Sequence, residues 1–173
     1  IMAILVYVEL PRAFSCAERL NEVLEHAPEI KDKETTHFPQ TNLRAHLEFR
    51  NVTFQYPGAE EAVLRDISFL SRPGEITAII GGTGSGKSTI ANLIPRFFDI
   101  QGGEILVDGI DVRDYPQKEL RDKIGFIPQK AFLFWGTIES NIRYGKEDAT
   151  DAEVKHAATV AQAHSFISEK ADQ

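Results

Sequence analysis

Nine consecutive residues, Gly81-Gly82-Thr83-Gly84-Ser85-Gly86-Lys87-Ser88-Thr89, carry the densest chemistry in the chain. Gly81, Gly86, Lys87 and Ser88 occupy the fixed places of G-x-x-x-x-G-K-[ST], the spelling of a phosphate-binding loop. Glycines let such a loop turn back on itself and aim successive backbone N–H groups inward, so that they form a concave anion site. Lys87 is then placed to reach the β- and γ-phosphates, and the Ser88 hydroxyl to bind Mg²⁺. Ordinary Gly, Lys, Ser and Thr usage produces this match by accident in about one chain in a hundred of this length. The apolar flanks make a Gly-Ser linker the poorer explanation. The chain is expected to bind a nucleoside phosphate.

Such a loop must be held between a strand and a helix. Ile76-Thr77-Ala78-Ile79-Ile80 reads as a buried parallel strand leading into it, and Ser88–Ile94 as the helix after it, with its positive N-terminal end towards the phosphates. Short strand signals come earlier. Leu47 and Phe49 alternate, then Val52, Phe54 and Tyr56 alternate out of step with them, which predicts a turn or bulge near Arg50-Asn51. Leu64, Ile67 and Phe69 mark a second strand, Arg72-Pro73-Gly74 a turn, and Glu104–Val107 a strand closed by the turn pair Asp108-Gly109. A helix near Pro116–Arg121, a strand over Lys123–Pro128 and helical segments at 137–143 and 151–168 complete the reading. Antiparallel strands followed by strand–loop–helix units imply an α/β protein: a P-loop NTPase core with an N-terminal antiparallel β subdomain.

The bulk properties narrow the class. With 19 Lys plus Arg against 26 Asp plus Glu, a net charge of −7 and a pI near 5.3, general affinity for nucleic acid is not expected. The lone Cys16 excludes an internal disulfide and reads as a small apolar residue on a helix face. Residues 1–8 are nearly unbroken apolar sequence, too short for a bilayer, which needs about 20 residues. Pro11 is suited to opening a helix, after which Phe14, Ala17, Leu20, Val23 and Leu24 fall at helical spacing until Pro28. Residues 29–45 are polar without a period and read as a linker, so that the nucleotide domain begins at about His46.

Position distinguishes among phosphate-loop proteins. Tyr56, in Phe54-Gln55-Tyr56-Pro57-Gly58, lies 25 residues before Gly81, and Gln129 lies 42 after Lys87. With Gly125-Phe126-Ile127-Pro128-Gln129 and Gly136-Thr137-Ile138-Glu139-Ser140-Asn141-Ile142, these residues make 46–173 resemble the nucleotide-binding domain of an ATP-binding cassette transporter. The segment before it, with Ala17-Glu18-Arg19-Leu20-Asn21-Glu22-Val23-Leu24, resembles the junction of an exporter-type half-transporter.

The resemblance implies a role for each matching position. Residues 1–8 are then the end of a transmembrane helix, 9–45 the amphipathic helix and linker, and 46–173 the N-terminal part of the nucleotide domain with the start of its helical subdomain. Tyr56 stacks on adenine, residues 81–89 hold the phosphates of ATP, and Ser88 and Gln129 serve Mg²⁺, Gln129 also positioning the attacking water. Residues 130–142 lie against the membrane domain of the same polypeptide. A second nucleotide-binding domain is the dimer partner, and the domain works on the cytoplasmic side of a membrane. Trp135 stands where the family more often has a small residue; an interface anchor and a partly buried packing aromatic are the two readings.

The family's signature segment, its aspartate–glutamate strand end and its switch histidine match nothing in these residues. The resemblance therefore implies that the 173-residue chain holds ATP without hydrolysing it, and that several strands flanking the loop strand lie outside it. Ile105-Leu106-Val107-Asp108 imitates a Mg²⁺-directing strand end, but Gly109 makes Asp108 a turn residue. Two alternatives remain: a soluble cassette protein that uses ATP as a clamp, against which residues 1–27 argue, and a non-catalytic subunit of a heterodimeric transporter.

Overall fold

A computed structural model describes residues 2–25, 27–33 and 42–169. The chain divides into two compact units, 1–126 and 127–173.

In the first unit, helix α1 (Met2–Glu25) precedes strands β1 (Leu47–Phe54) and β2 (Leu64–Ser71), helix α2 (Lys87–Leu93), strands β3 (Gly102–Val107) and β4 (Ile110–Asp111), and helix α3 (Gln117–Asp122). The strands form one antiparallel sheet in the order β2-β1-β3-β4. The expected change of step in β1 is a bulge. Pairing with β2 shifts between Phe49 and Val52, pairing with β3 shifts between Arg50 and Thr53, and Asn51 takes a left-handed φ of 48°. The bulge brings Phe49, Val52 and Phe54 to the core despite their uneven spacing. It also presses the backbone of Arg50 and Asn51 against Gly103. A Cβ there would meet the Arg50 carbonyl oxygen at 2.3 Å, and the φ of +82° disfavours a side chain independently. Asp108 and Gly109, with φ of 53° and 81°, make the β3–β4 turn.

The sheet's inner face carries Phe49, Val52, Phe54, Leu64, Ile105 and Val107; Ile90 and Leu93 of α2, Leu120 of α3, and Ile110, Val112 and Tyr115 join them in this core. Phe49 and Phe69 stack at 4.5 Å across the β1–β2 pair. Helix α2 is thereby fixed by burial at positions 90 and 93, which orients the loop that precedes it.

Three expectations require correction. Residues 75–80 form no strand: they are irregular and exposed, Ile76 at 97% and Ile80 at 93%. Residues 123–128 likewise make no ladder. A parallel strand exists only between neighbours, and none of the described residues supplies one to either run. Pro11 does not open a helix but sits inside the 24-residue α1, because the Met, Ala and Leu residues upstream continue the helix at the cost of one backbone hydrogen bond. Among the described residues, no helix is long and apolar enough to cross a membrane.

The second unit holds α4 (Ile138–Arg143), α5 (Asp151–Val160) and α6 (His164–Ser168), so the helical run expected over 151–168 is broken at 161–163. Gln162, at φ 57°, ends α5 in a left-handed turn. Thr137 caps α4 by accepting from Ser140 N at 3.0 Å, and Thr150 with Glu153 forms a reciprocal capping box at α5. The Lys146 ammonium, at 2.7 Å, and the Thr150 N–H and hydroxyl pull the Glu153 carboxyl down to about 2.

Candidate functional site

Residues 81–85 run exposed and irregular into α2. Gly84 and Gly86 take φ of 80° and 90°, the alternation that turns N–H groups towards one concavity. Gly86 is required twice over, since a Cβ there would lie 2.7 Å from Leu64 Cδ2 of β2. The loop is thus seated directly on the antiparallel sheet. Ile90 N–H donates to the Gly86 carbonyl at 3.0 Å and starts the helix.

Lys87 folds back into this loop. Its Nζ donates to the carbonyls of Gly81 at 2.8 Å and Gly82 at 2.6 Å, and to Ser85 Oγ at 3.3 Å. Neutral oxygens therefore hold a full positive charge beside a glycine-rich turn, in which the Ser85 N–H donates to the Gly82 carbonyl at 3.4 Å. An ammonium held only by neutral oxygens is a donor suited to an anion with several oxygens, such as a polyphosphate. Lys87 is half-buried, Ser88 follows exposed, and Thr89 is buried.

Tyr56 reaches the same helix from the sheet. It follows β1 and opens the turn Tyr56-Pro57-Gly58-Ala59, in which Ala59 N–H donates to the Tyr56 carbonyl at 3.0 Å and Gly58 has φ 76°. Its ring meets Phe54 at 4.8 Å and Phe98 at 5.1 Å, both edge-to-face. Its hydroxyl lies 3.1 Å from Thr89 Oγ1. The expected base-stacking residue and the phosphate-loop helix are therefore hydrogen-bonded to each other, 33 residues apart in sequence. Arg96, two residues before Phe98, is a buried arginine with φ 53° whose guanidinium grips Asp99 through Nε at 2.7 Å and Nη2 at 3.1 Å. Sequence reasoning passed over Arg96, because an isolated arginine carries no signal that it is buried.

Gln129 lies in the second unit, exposed and in irregular backbone. The segment after it is unusually apolar for a surface: Phe132, Leu133 and Trp135 are all exposed, Trp135 completely. Trp135 is therefore not a packing aromatic within this chain. The backbone beneath is ordered by Asn141, which accepts from Phe134 N–H at 2.8 Å and donates to the Phe134 carbonyl at 3.0 Å, while Phe134 stacks on Tyr144 at 4.3 Å. His156 and His164 are exposed helix residues.

Asp108 is a structural turn residue. Its carboxylate accepts from His46 N–H at 3.2 Å and from Lys123 Nζ at 2.9 Å. Burial raises its pKa, but Lys123 and the N–H groups of His46 and Ala45 outweigh burial and hold it below the ordinary value. Cys16 is exposed on α1 and free. No cluster of three or more metal-ligating His, Cys, Asp or Glu side chains occurs among the described residues.

Known proteins share this loop, sheet and helix arrangement. The ABC transporter family model matches residues 64–173. An uncharacterized ABC transporter ATP-binding protein of Mycobacterium tuberculosis (strain H37Rv) is 44% identical over 170 residues, which is 96% of this chain and 29% of that protein. ATP-binding cassette sub-family B member 6 of Xenopus tropicalis is 43% identical over 93% of this chain and 19% of its own length. The solved structure of a bacterial Atm1-family ABC exporter with ATP bound superposes with a TM-score of 0.84 at 34% identity, covering 96% of this chain and 29% of that one. The chain thus spans less than a third of the length of these relatives. The phosphate loop on its antiparallel sheet and the family match over most of the chain lead to one assignment: this chain belongs to the ABC transporter family.

Proposed function

We propose that the chain is the ATP-holding part of an ABC exporter, in which ATP binding and hydrolysis drive a substrate across a membrane. The observation that carries this reading is the Lys87 ammonium, cradled by the Gly81 and Gly82 carbonyls beside a glycine-rich turn and without a carboxylate partner among the described residues. An incoming triphosphate takes that charge over from neutral oxygens, which strengthens the bonds Lys87 makes. Residues 81–89 hold the phosphates. The Tyr56 ring is the base platform, worth about 1–3 kcal/mol if it stacks as aromatics do on bases elsewhere.

Mg²⁺ arrives with the nucleotide. A hydroxyl at Ser88 and an amide oxygen at Gln129 suit a hard cation that takes its remaining ligands from phosphate and water. When bound, the ion supplies charge neutralisation to the phosphates. Residues 130–142, with the exposed Phe132, Leu133 and Trp135, are the surface towards the membrane domain. Helix α1, whose Phe14, Leu20, Val23 and Leu24 are exposed, runs unbroken from Met2 to Glu25; residues 1–8 are its membrane-side end. In this reading 9–45 is the junction, 46–173 belongs to the nucleotide domain, a second such domain is the partner, and the domain faces the cytoplasm.

Titration of the 173-residue chain with a fluorescent ATP analogue and Mg²⁺ tests the site. Saturable binding is expected, lost in Lys87→Ala and weakened in Tyr56→Ala. Binding unchanged by both substitutions sinks the assignment. No steady-state phosphate release is expected from this polypeptide at saturating Mg-ATP. Turnover abolished by Lys87→Ala would contradict that.

A further inference from the structure

Residues 28–33 fall in a stretch whose sequence gives no sign of structure, yet they are docked. Pro28 and Ile30 lie along a groove lined by Phe54, Phe97, Phe98 and Gln117. One Asp32 carboxylate oxygen, Oδ1, accepts from the Gln117 backbone N–H at 3.1 Å and from Gln117 Nε2 at 3.0 Å. Gln117 Nε2 also donates to the Ile30 carbonyl at 3.5 Å, Arg96 Nη2 donates to the Lys31 carbonyl at 3.5 Å, and Lys33 pairs with Asp114. Gln117 is the first residue of α3, so its N–H has no partner within the helix; Asp32 supplies one from outside. The Gln117 N–H and side-chain amide hold the Asp32 carboxyl below its ordinary pKa.

The network does not stop at Gln117. Its Oε1 accepts from Arg121 Nη2 at 3.0 Å, and the same guanidinium donates to the carbonyls of Pro95, through Nε at 3.1 Å, and Arg96, through Nη2 at 3.3 Å. Those carbonyls lie in the turn that closes α2, whose opposite end carries Lys87. A continuous path of side-chain bonds therefore runs from the segment after α1 to the far end of the phosphate-loop helix.

We propose that Ile30–Lys33 is a latch: it fastens the chain leaving α1 to the corner between α2 and α3, so that displacement of α1 enters the nucleotide-binding unit at the end of the phosphate-loop helix. The covalent distance from α1 to β1 is long enough for a slack tether, and a slack tether transmits no load. Docking at residues 30–33 removes most of that slack. The residues involved are positioning residues and touch no ligand.

Amide hydrogen exchange on the 173-residue chain, without nucleotide, tests the latch independently of the ATP reading. Asp32→Ala is expected to speed exchange of the Gln117 amide by about fivefold or more, the loss of one hydrogen bond. It is also expected to raise exchange at the Arg96 and Phe97 amides, which close α2 on the Leu93 and Asn92 carbonyls. The Val112 amide, bonded to the Ile105 carbonyl in the sheet, should not change and reports that the fold is intact. Asp32→Asn keeps an acceptor and should fall between the wild-type chain and Asp32→Ala. Tryptic cleavage after Lys31 should accelerate in the same order. An unchanged Gln117 amide overturns the docking. A faster Gln117 amide with unchanged Arg96 and Phe97 overturns the transmission to α2.

Discussion

Tyr56 serves two separable purposes, and two substitutions distinguish them. Tyr56→Phe removes only the hydroxyl that lies 3.1 Å from Thr89 Oγ1. The lost hydrogen bond costs about 1 kcal/mol net, and the buried Thr89 hydroxyl, left with poorer satisfaction, raises this to about 1–2 kcal/mol. Tyr56→Ala also removes the edge-to-face contacts with Phe54 and Phe98, each worth about 0.5–1.5 kcal/mol beyond area, together with the burial of a large ring. The total is about 2–5 kcal/mol, short of a fully buried aromatic because Tyr56 is only partly buried. Urea unfolding followed by circular dichroism reads these stabilities. Nucleotide binding should divide differently: Tyr56→Phe keeps the π-face and should shift the Kd by less than about threefold, whereas Tyr56→Ala should weaken it by roughly 5- to 150-fold, the equivalent of 1–3 kcal/mol. Equal losses of binding in the two variants would refute the stacking role and leave the hydroxyl as the contact that matters. Full binding by Tyr56→Ala would refute both.

Three other outcomes follow from the geometry. Gly103→Ala should destabilise the first unit by about 2–4 kcal/mol, since it sets a Cβ 2.3 Å from the Arg50 carbonyl at a φ of +82°; a denaturation midpoint within error of wild type would contradict the bulge packing. The depressed pKa of Asp108 means that its contribution is complete above the unfolded carboxylate pKa and is lost as pH falls through the folded value; in Asp108→Asn that part of the acid dependence should vanish from a stability–pH series. Glu153 behaves alike in the second unit: its half of the α5 capping box is complete above the ordinary 4.5 and is lost as pH falls through about 2, and Lys146→Ala, which removes its strongest partner, should flatten the acid dependence of the helical circular dichroism signal over that interval.

What was legible in the sequence was whatever local chemistry decides. The phosphate loop, the Asp108-Gly109 turn and the bulge at Arg50-Asn51 each follow from residue type and step over a few positions, and all three stand where expected. The Thr137 and Thr150 caps belong to the same class, although neither residue is read as a cap from the sequence. Residues 75–80 and 123–128 were misread because an apolar run specifies burial but not the neighbours that bury it. Continuation of α1 through Pro11 was misread because proline is permitted at a helix start and also tolerated, at a cost, within one. The docking of Ile30–Lys33 was invisible for a different reason. It rests on one carboxylate meeting one helix-start N–H 85 positions away, and such a pairing has no period. Tyr56 and Lys87 could be singled out as candidates from the sequence; their placement against Thr89 and against the Gly81 and Gly82 carbonyls could not.

The exposure of Ile76, Ile80 and Ile127, each at 93% or more, has a calorimetric consequence. Heat-capacity change and denaturant sensitivity on unfolding both scale with the surface that unfolding newly uncovers. Side chains already wet add nothing to either. Melting of this chain should therefore show a heat-capacity increment below the roughly 12–15 cal/mol/K per residue of ordinary globular proteins. A partner that covers those isoleucines should restore it, so that the increment becomes a gauge of how much of the apolar surface has found its cover.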